Sequence, residues 1–199
     1  MIIVQDDFFK DPYAVRQFAL QQEYFSSYNS SWPGIRHRNG DVSLLGKIED
    51  FANQHAPCKL SHSNFQSVSS KFGEGHFHFD FENDYIVIIF LDPHPELYSG
   101  TEICDFSRHP SEFIPKNIWQ PQLTHKENFY RNPNNFWSKI KSTCYRKLSN
   151  KYFPEPMAKV PNKFNRVVMF ESNLAHRAQK FYGKTLKDSR LTLVTFLNK

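Results

Sequence analysis

Residues Gly75-His76-Phe77-His78-Phe79-Asp80, followed closely by the apolar run Tyr85-Ile86-Val87-Ile88-Ile89-Phe90-Leu91, decide how this chain is read. Aromatic side chains alternate with His, His and Asp, the period-two pattern of a strand with one polar face. On a strand over 76–81, His76, His78 and Asp80 project from the same side. Two imidazoles and a carboxylate on a face backed by phenylalanines are costly to bury without a purpose. A metal ion is the natural one. A His-x-Asp pair supplies two ligands of a 2-His-1-carboxylate facial triad, which leaves open positions on Fe(II). With nine histidines in 199 residues, such a pair also arises by chance, so its weight depends on the rest of the chain.

The length fits one domain over residues 1–199, large enough to bury a core. Apolar residues make up 39% and aromatics 16%, with 20 Phe, which suits a folded, aromatic-packed β-rich protein rather than a disordered one. No apolar run approaches the ~20 residues of a membrane span, so no membrane partner is expected. Residues 1–7 have neither a basic n-region nor a long apolar h-region, and no signal peptide is expected. Cys58, Cys104 and Cys144 are odd in number and widely spaced, as befits reduced thiols in a cytoplasmic compartment.

Charge is unevenly placed. Residues 107–166 hold 12 Lys/Arg against Glu112, Glu127 and Glu155, whereas the remainder is net acidic. This basic insertion, taken as about 107–164, reads first as a solvated helix-and-loop segment and second as a polyanion-binding surface.

Along the chain, residues 2–5 form a first strand. Asp11 caps a helix with Pro12 at its first position, and Val15, Phe18 and Ala19 make its apolar stripe. A loop over 26–39 contains Trp32-Pro33-Gly34-Ile35-Arg36, and a second helix over 44–55 turns Leu45, Ile48, Phe51 and Ala52 inward. Strands are expected at 65–71, 76–81, 85–91 and 101–106, with turn formers between Asp92 and Gly100. Residues 107–132 are Pro-punctuated and unassigned. Asn134-Asn135 opens a helix with an amphipathic face of Phe136, Ile140, Cys144 and Leu148, and 166–170 and 190–197 are the last strands. The class is mainly β with flanking helices, an antiparallel sandwich.

A second informative stretch runs from Arg166 to His176, where a strand delivers a histidine just past its end. Arg190-Leu191-Thr192 begins the terminal strand, so Arg190 and Thr192 share a face and can hold one carboxylate, with a salt-bridging edge arginine as the alternative. The ordered set His78-x-Asp80, His176, Arg190-x-Thr192 resembles the Fe(II)/2-oxoglutarate-dependent oxygenases, in particular the prolyl-4-hydroxylase-like branch with its phage and marine bacterial relatives. Asp11–Ala19, Trp32–Arg36, Tyr85–Leu91 with Pro93, Ser99-Gly100-Thr101, Asn165–His176 and Arg190–Asn198 carry the resemblance, and 107–164 falls outside it. Ser99 stands where a glycine is usual. No tyrosine occupies the position many relatives use for the co-substrate; Tyr85 is the alternative.

The resemblance implies a double-stranded β-helix (jelly roll, cupin-like) core with the metal at one mouth. His78, Asp80 and His176 would ligate Fe(II), Arg190 would anchor the distal carboxylate of 2-oxoglutarate, and Thr192 would assist. The implied reaction is hydroxylation of a small-molecule or peptide substrate, coupled to decarboxylation of 2-oxoglutarate to succinate. The donor set itself suits Fe(II) better than structural zinc, which wants four ligands and more sulfur.

His76 reads as a packed or exposed strand histidine, with a role on the substrate side as the alternative. His37, His55, His62, His94, His109 and His125 read as loop or surface residues, and Glu102 and Asp105 have no assigned role. A reading from a different class is a non-catalytic jelly-roll module whose basic aromatic insertion binds nucleic acid or another polyanion. Trp119, Phe129, Tyr130, Phe136 and Trp137 would interleave there with Lys126, Arg131, Lys139 and Lys141. The metal triad argues against it.

Overall fold

The computed structural model describes residues 1–26, 32–38, 42–106 and 108–199. Parts of the loop expected over 26–39, and residue 107, lie outside these. Ten strands and four α-helices are formed among the described residues. A seven-stranded antiparallel sheet runs in the order β1 (Ile2–Gln5), β8 (Val167–Glu171), β5 (Tyr85–Phe90), β10 (Arg190–Asn198), β4 (Lys59–Val68), β3 (Ile35–Arg38) and β2 (Phe25–Ser26). A three-stranded sheet has the order β7 (Ala158–Val160), β6 (Thr101–Ile103) and β9 (His176–Ala178).

Strand periodicity divides the core. On β5, β8 and β10, Val87, Ile89, Val167, Met169, Leu191 and Leu193 face one way. There they pack on α1 (Pro12–Leu20) and α2 (Val42–Asn53) through Val15, Ala19, Ile48, Phe51 and Ala52. The intervening Ile86, Ile88, Phe90, Val168, Phe170, Val194 and Phe196 face Ile103 and Val160 of the small sheet. Central strands therefore read as continuous apolar runs because both faces are covered.

Helix α1 begins as its sequence dictates. Asp11 Oδ1 accepts from the Ala14 amide at 3.0 Å, with Pro12 at the first helical position. At the sheet edge, Gly34 has φ +85°, and a Cβ there would lie 2.2 Å from the Ser67 carbonyl oxygen. Glycine is thus required where the Trp32–Arg36 loop enters β3.

Several sequence expectations change, among them the loop over 26–39, of which Ile35–Arg38 forms β3. Residues 76–81 are not a strand: His78 alone forms an antiparallel bridge, to His176. The partner chain turns at Glu171–Leu174, where Leu174 N–H bonds the Glu171 carbonyl, so continuous pairing has nothing to follow. The strand placed at 65–71 starts at Lys59 and yields after Val68 to a 3-10 turn over Ser70–Phe72. The strand placed at 101–106 ends at Ile103. Residues 116–131 form α3 (Lys116–Arg131), obscured by an internal Pro121.

The helix opened by Asn135 is α4 (Phe136–Asn150), and Asn135 Oδ1 accepts from the Ser138 amide at 2.9 Å. Its orientation reverses the expectation. Phe136, Ile140, Cys144 and Leu148 are exposed, whereas Ser142, Arg146 and Ser149 are buried. Polar bonds seat this helix: Arg146 NH1 meets Glu74 at 2.9 Å, and Ser142 Oγ meets His76 Nε2 at 3.3 Å. Buried Arg146 and His76 would otherwise be desolvated without compensation, which outweighs burial of a weak apolar stripe. The three cysteines form no disulfide. No described helix is long and apolar enough to cross a membrane.

Candidate metal centre

His78 lies directly opposite His176, each amide bonding the other's carbonyl at 3.0 Å. Asp80 N–H bonds the Ser172 carbonyl at 3.1 Å, so the segment stays extended and returns the carboxylate to the same side. Asp80 Oδ2 lies 3.3 Å from His176 Nε2 and 3.9 Å from His78 Nε2. One donor atom from each of the three falls within 4.8 Å of the others. Among the described residues this is the one group of three or more His, Cys, Asp or Glu side chains so disposed.

The backbone fixes both imidazoles. His78 Nδ1 bonds the His76 carbonyl at 2.9 Å, and His176 Nδ1 bonds the Leu174 carbonyl at 2.9 Å. A carbonyl accepts only, so each Nδ1 carries the proton and each Nε2 presents its lone pair. Burial and repulsion by His176 lower the His78 pKa to about 4, with Asp80 opposing, so the ring is neutral at pH 7. Burial resists ionisation of Asp80. The adjoining His176 and His78 rings, with the charge of Arg36, outweigh it and hold the carboxyl below its ordinary value. Two imidazole Nε2 atoms and one carboxylate can hold a divalent ion.

A cavity of about 170 Å³ opens beside this group, with Trp32, Gln66, Ile88, Thr101, Phe181 and Arg190 in its wall. Arg190 is buried at 4% exposure, donating from Nε to the Ser99 carbonyl at 2.9 Å and from NH2 to Thr101 Oγ1 at 3.3 Å. Phe90 packs against its guanidinium at 5.3 Å. Burial lowers its pKa to about 10, still a cation at neutral pH. No carboxylate among the described residues pairs with it. Thr192, two residues on, is fully buried, and its Oγ1 has no hydrogen-bond partner.

Ser99 explains its departure from glycine. Its φ is not positive. Its hydroxyl donates to the Glu96 carbonyl at 2.6 Å and accepts from Asn162, while its carbonyl holds Arg190. Behind it, Tyr182 donates to the buried Asp92 at 2.5 Å and accepts from Asn162 at 3.3 Å. Tyr182 carries no signal in sequence; only proximity links it to Arg190.

His76 is packed, as expected, but off a strand. Its Nδ1 meets Gln122 at 3.2 Å and its Nε2 meets Ser142 at 3.3 Å, so both nitrogens are engaged by the insertion helices. Tyr85 packs on the helix-covered side of the sheet, away from the cavity. Tyr130 and Lys126 of α3 line the cavity instead. Of the other histidines, His37 lies on β3 and His62 on β4, where His62 stacks on Phe196 at 4.4 Å. Glu102 is buried and pairs with Arg177 at 2.7 Å. Among the aromatics of the suggested nucleic-acid surface, Phe129 and Tyr130 are buried, while Phe136 and Trp137 stand exposed.

Solved structures similar to the chain carry one fold and, by their descriptions, related chemistry. A Pseudomonas putida prolyl-4-hydroxylase is 11% identical, with a TM-score of 0.54 over 100% of this chain and 92% of its own. HygX from Streptomyces hygroscopicus, with nickel, 2-oxoglutarate and hygromycin B bound, is 10% identical, with a TM-score of 0.60 over 100% of this chain and 83% of its own. The alpha-ketoglutarate-dependent carbocyclase SnoK of nogalamycin biosynthesis is 11% identical, with a TM-score of 0.58 over 99% and 79%. No protein-family model matches the sequence, and no curated protein does. The resemblance to Fe(II)/2-oxoglutarate oxygenases, prolyl-4-hydroxylase among them, thus extends to the fold.

Proposed function

We propose that the chain is an Fe(II)- and 2-oxoglutarate-dependent oxygenase that hydroxylates a small-molecule or peptide substrate. It is a single domain with a jelly-roll core, interrupted by the insertion at about 107–164. One observation carries this reading: a compact His78/Asp80/His176 group shares its cavity with Arg190, a buried cation lacking a carboxylate partner. A structural metal site needs no such cation. A dicarboxylate co-substrate does.

The residues fit both groups. His78 and His176 offer Nε2 lone pairs and Asp80 one carboxylate oxygen, a set that leaves positions open on iron. The unpartnered Oγ1 of Thr192 and the guanidinium of Arg190 suit the distal carboxylate of 2-oxoglutarate. When bound, Fe(II) with 2-oxoglutarate supplies the oxidising chemistry: dioxygen yields hydroxylated substrate, succinate and carbon dioxide. The chain's own part is to hold and to exclude. The Nδ1 bonds fix both imidazoles, and the Ser99 carbonyl and Thr101 hydroxyl fix Arg190. Trp32, edge-on to His78 at 5.5 Å, lines the cavity beside the metal group.

Anaerobic titration with Fe(II) and then 2-oxoglutarate tests this. The expected result is a visible charge-transfer band that requires both additions and is absent in Asp80→Ala. Folded protein that gives no band would sink the reading.

A further inference from the structure

Four charged side chains line the cavity: Asp80, Arg177, Arg190 and Lys126. Three are accounted for. Arg177 is neutralised by Glu102 at 2.7 Å and stacks over Phe77 at 4.6 Å. Asp80 belongs to the metal group, and Arg190 awaits the distal carboxylate. A divalent ion, Asp80, the doubly charged 2-oxoglutarate and Arg190 sum to no net charge. Lys126 is left over.

Lys126 is placed for use. Gln122, Lys126 and Tyr130 follow at i, i+4 and i+8 on one face of α3. Gln122 is fixed on His76, and Tyr130 is buried in the cavity wall. That face is therefore aimed at the metal group. Lys126 has no hydrogen-bond or ion-pair partner among the described residues, and the nearest charges it feels are Glu127 and Asp80. Burial depresses its pKa against those two, so a further anion at Nζ would offset the desolvation. Arg36, stacked over Trp32 at 4.1 Å, adds positive field at the mouth, as does the net basic insertion.

We propose that this oxygenase takes an anionic substrate, and that Lys126 receives its carboxylate or phosphate group while the carbon to be oxidised faces the metal. The proposal rests on the Fe(II)/2-oxoglutarate reading above and adds the substrate class to it. A lysine can serve either anion, because it is one compact charge on a flexible stem.

The test uses wild type, Lys126→Gln and Lys126→Arg, each loaded anaerobically with Fe(II) and 2-oxoglutarate. The charge-transfer band gives the co-substrate Kd. Calorimetry then compares benzoate and phenyl phosphate with benzamide and phenol as probes. Wild type is expected to prefer the anions at least tenfold; Lys126→Gln should lose that preference, and Lys126→Arg should keep most of it. Whichever anion loses more affinity in Lys126→Gln identifies carboxylate or phosphate as the group received. The 2-oxoglutarate Kd should stay within threefold in all three proteins. Equal binding of neutral and anionic probes, no binding of either anion, or a preference that survives in Lys126→Gln overturns the proposal. So does a 2-oxoglutarate Kd raised in Lys126→Gln as far as in Arg190→Gln, which would make Lys126 a second co-substrate anchor. A wild type without the band overturns the oxygenase reading itself, a failure distinct from these.

Discussion

His78 and His176 face each other across a single antiparallel bridge, with ring centroids 4.2 Å apart and both Nδ1 atoms tied to backbone carbonyls two residues upstream. The backbone therefore sets the separation and tautomer of both rings before any ion arrives. Such preorganisation keeps the conformational cost of ligation small.

Replacing Asp80 or His176 with alanine removes one of three donors. Tight Fe(II) binding should be lost in each variant, with far-UV circular dichroism unchanged. Wild-type iron stoichiometry in either one, measured by equilibrium dialysis, would place the metal elsewhere.

Arg190→Gln keeps polarity and loses the charge. Charge-assisted hydrogen bonds contribute about 1.5–3 kcal/mol, so 2-oxoglutarate affinity should fall roughly ten- to hundredfold. Iron binding should stay near wild type, because Arg190 touches none of the three ligands. The charge-transfer titration reads both quantities.

Gly100→Ala tests a close approach rather than a charge. An added Cβ would lie 2.0 Å from the Val160 carbonyl oxygen, at the pairing of β6 with β7. The backbones must separate, and overpacking of this kind costs about 1–3 kcal/mol. Urea unfolding should show the loss, and 2-oxoglutarate affinity should drop with it, since the adjacent Ser99 and Thr101 hold Arg190.

Acid sensitivity has a named source at the edge of the sheet. Asp6 accepts from Arg166 Nε at 2.6 Å and from Lys163 at 2.8 Å, and these bonds lower its pKa from 3.8 to about 2. A carboxyl whose folded pKa is depressed stabilises the fold above its unfolded pKa and loses that contribution as pH falls through the folded one. The stability gap between wild type and Asp6→Asn should be constant above about pH 5 and narrow between pH 4 and 2. Urea midpoints across that range measure it; a gap independent of pH would show that the ion pairs contribute nothing.

Much of the site was legible because its signals are local. A His-x-Asp on an alternating stretch, a histidine just past a strand and an Arg-x-Thr opening another each keep their meaning without knowledge of neighbours. The helix starts at Asp11 and Asn135 were readable for the same reason, since a cap is satisfied within three residues. The strand at 76–81 was not, because a strand exists only where a partner runs alongside, and here the partner turns away after Glu171. Helix α3 was hidden by Pro121, whose local cost is outweighed by packing of Phe129 and Tyr130 on Val68, Phe72 and Phe181. On α4 the apolar periodicity pointed the wrong way, because Glu74 and His76 lie beneath it and bind its polar side.

The sequence by itself named the candidate donors, the candidate arginine and the central apolar strands, because residue type and period two are properties of the chain alone. Tertiary structure decided what those groups meet. It paired His78 with His176, set Ser99 and Thr101 around Arg190, left Thr192 Oγ1 without a partner, and turned Lys126 from a distant helix into the same cavity. Burial and electrostatic pairing depend on which segments fold against each other, and no local pattern encodes the distance between residues 126 and 190.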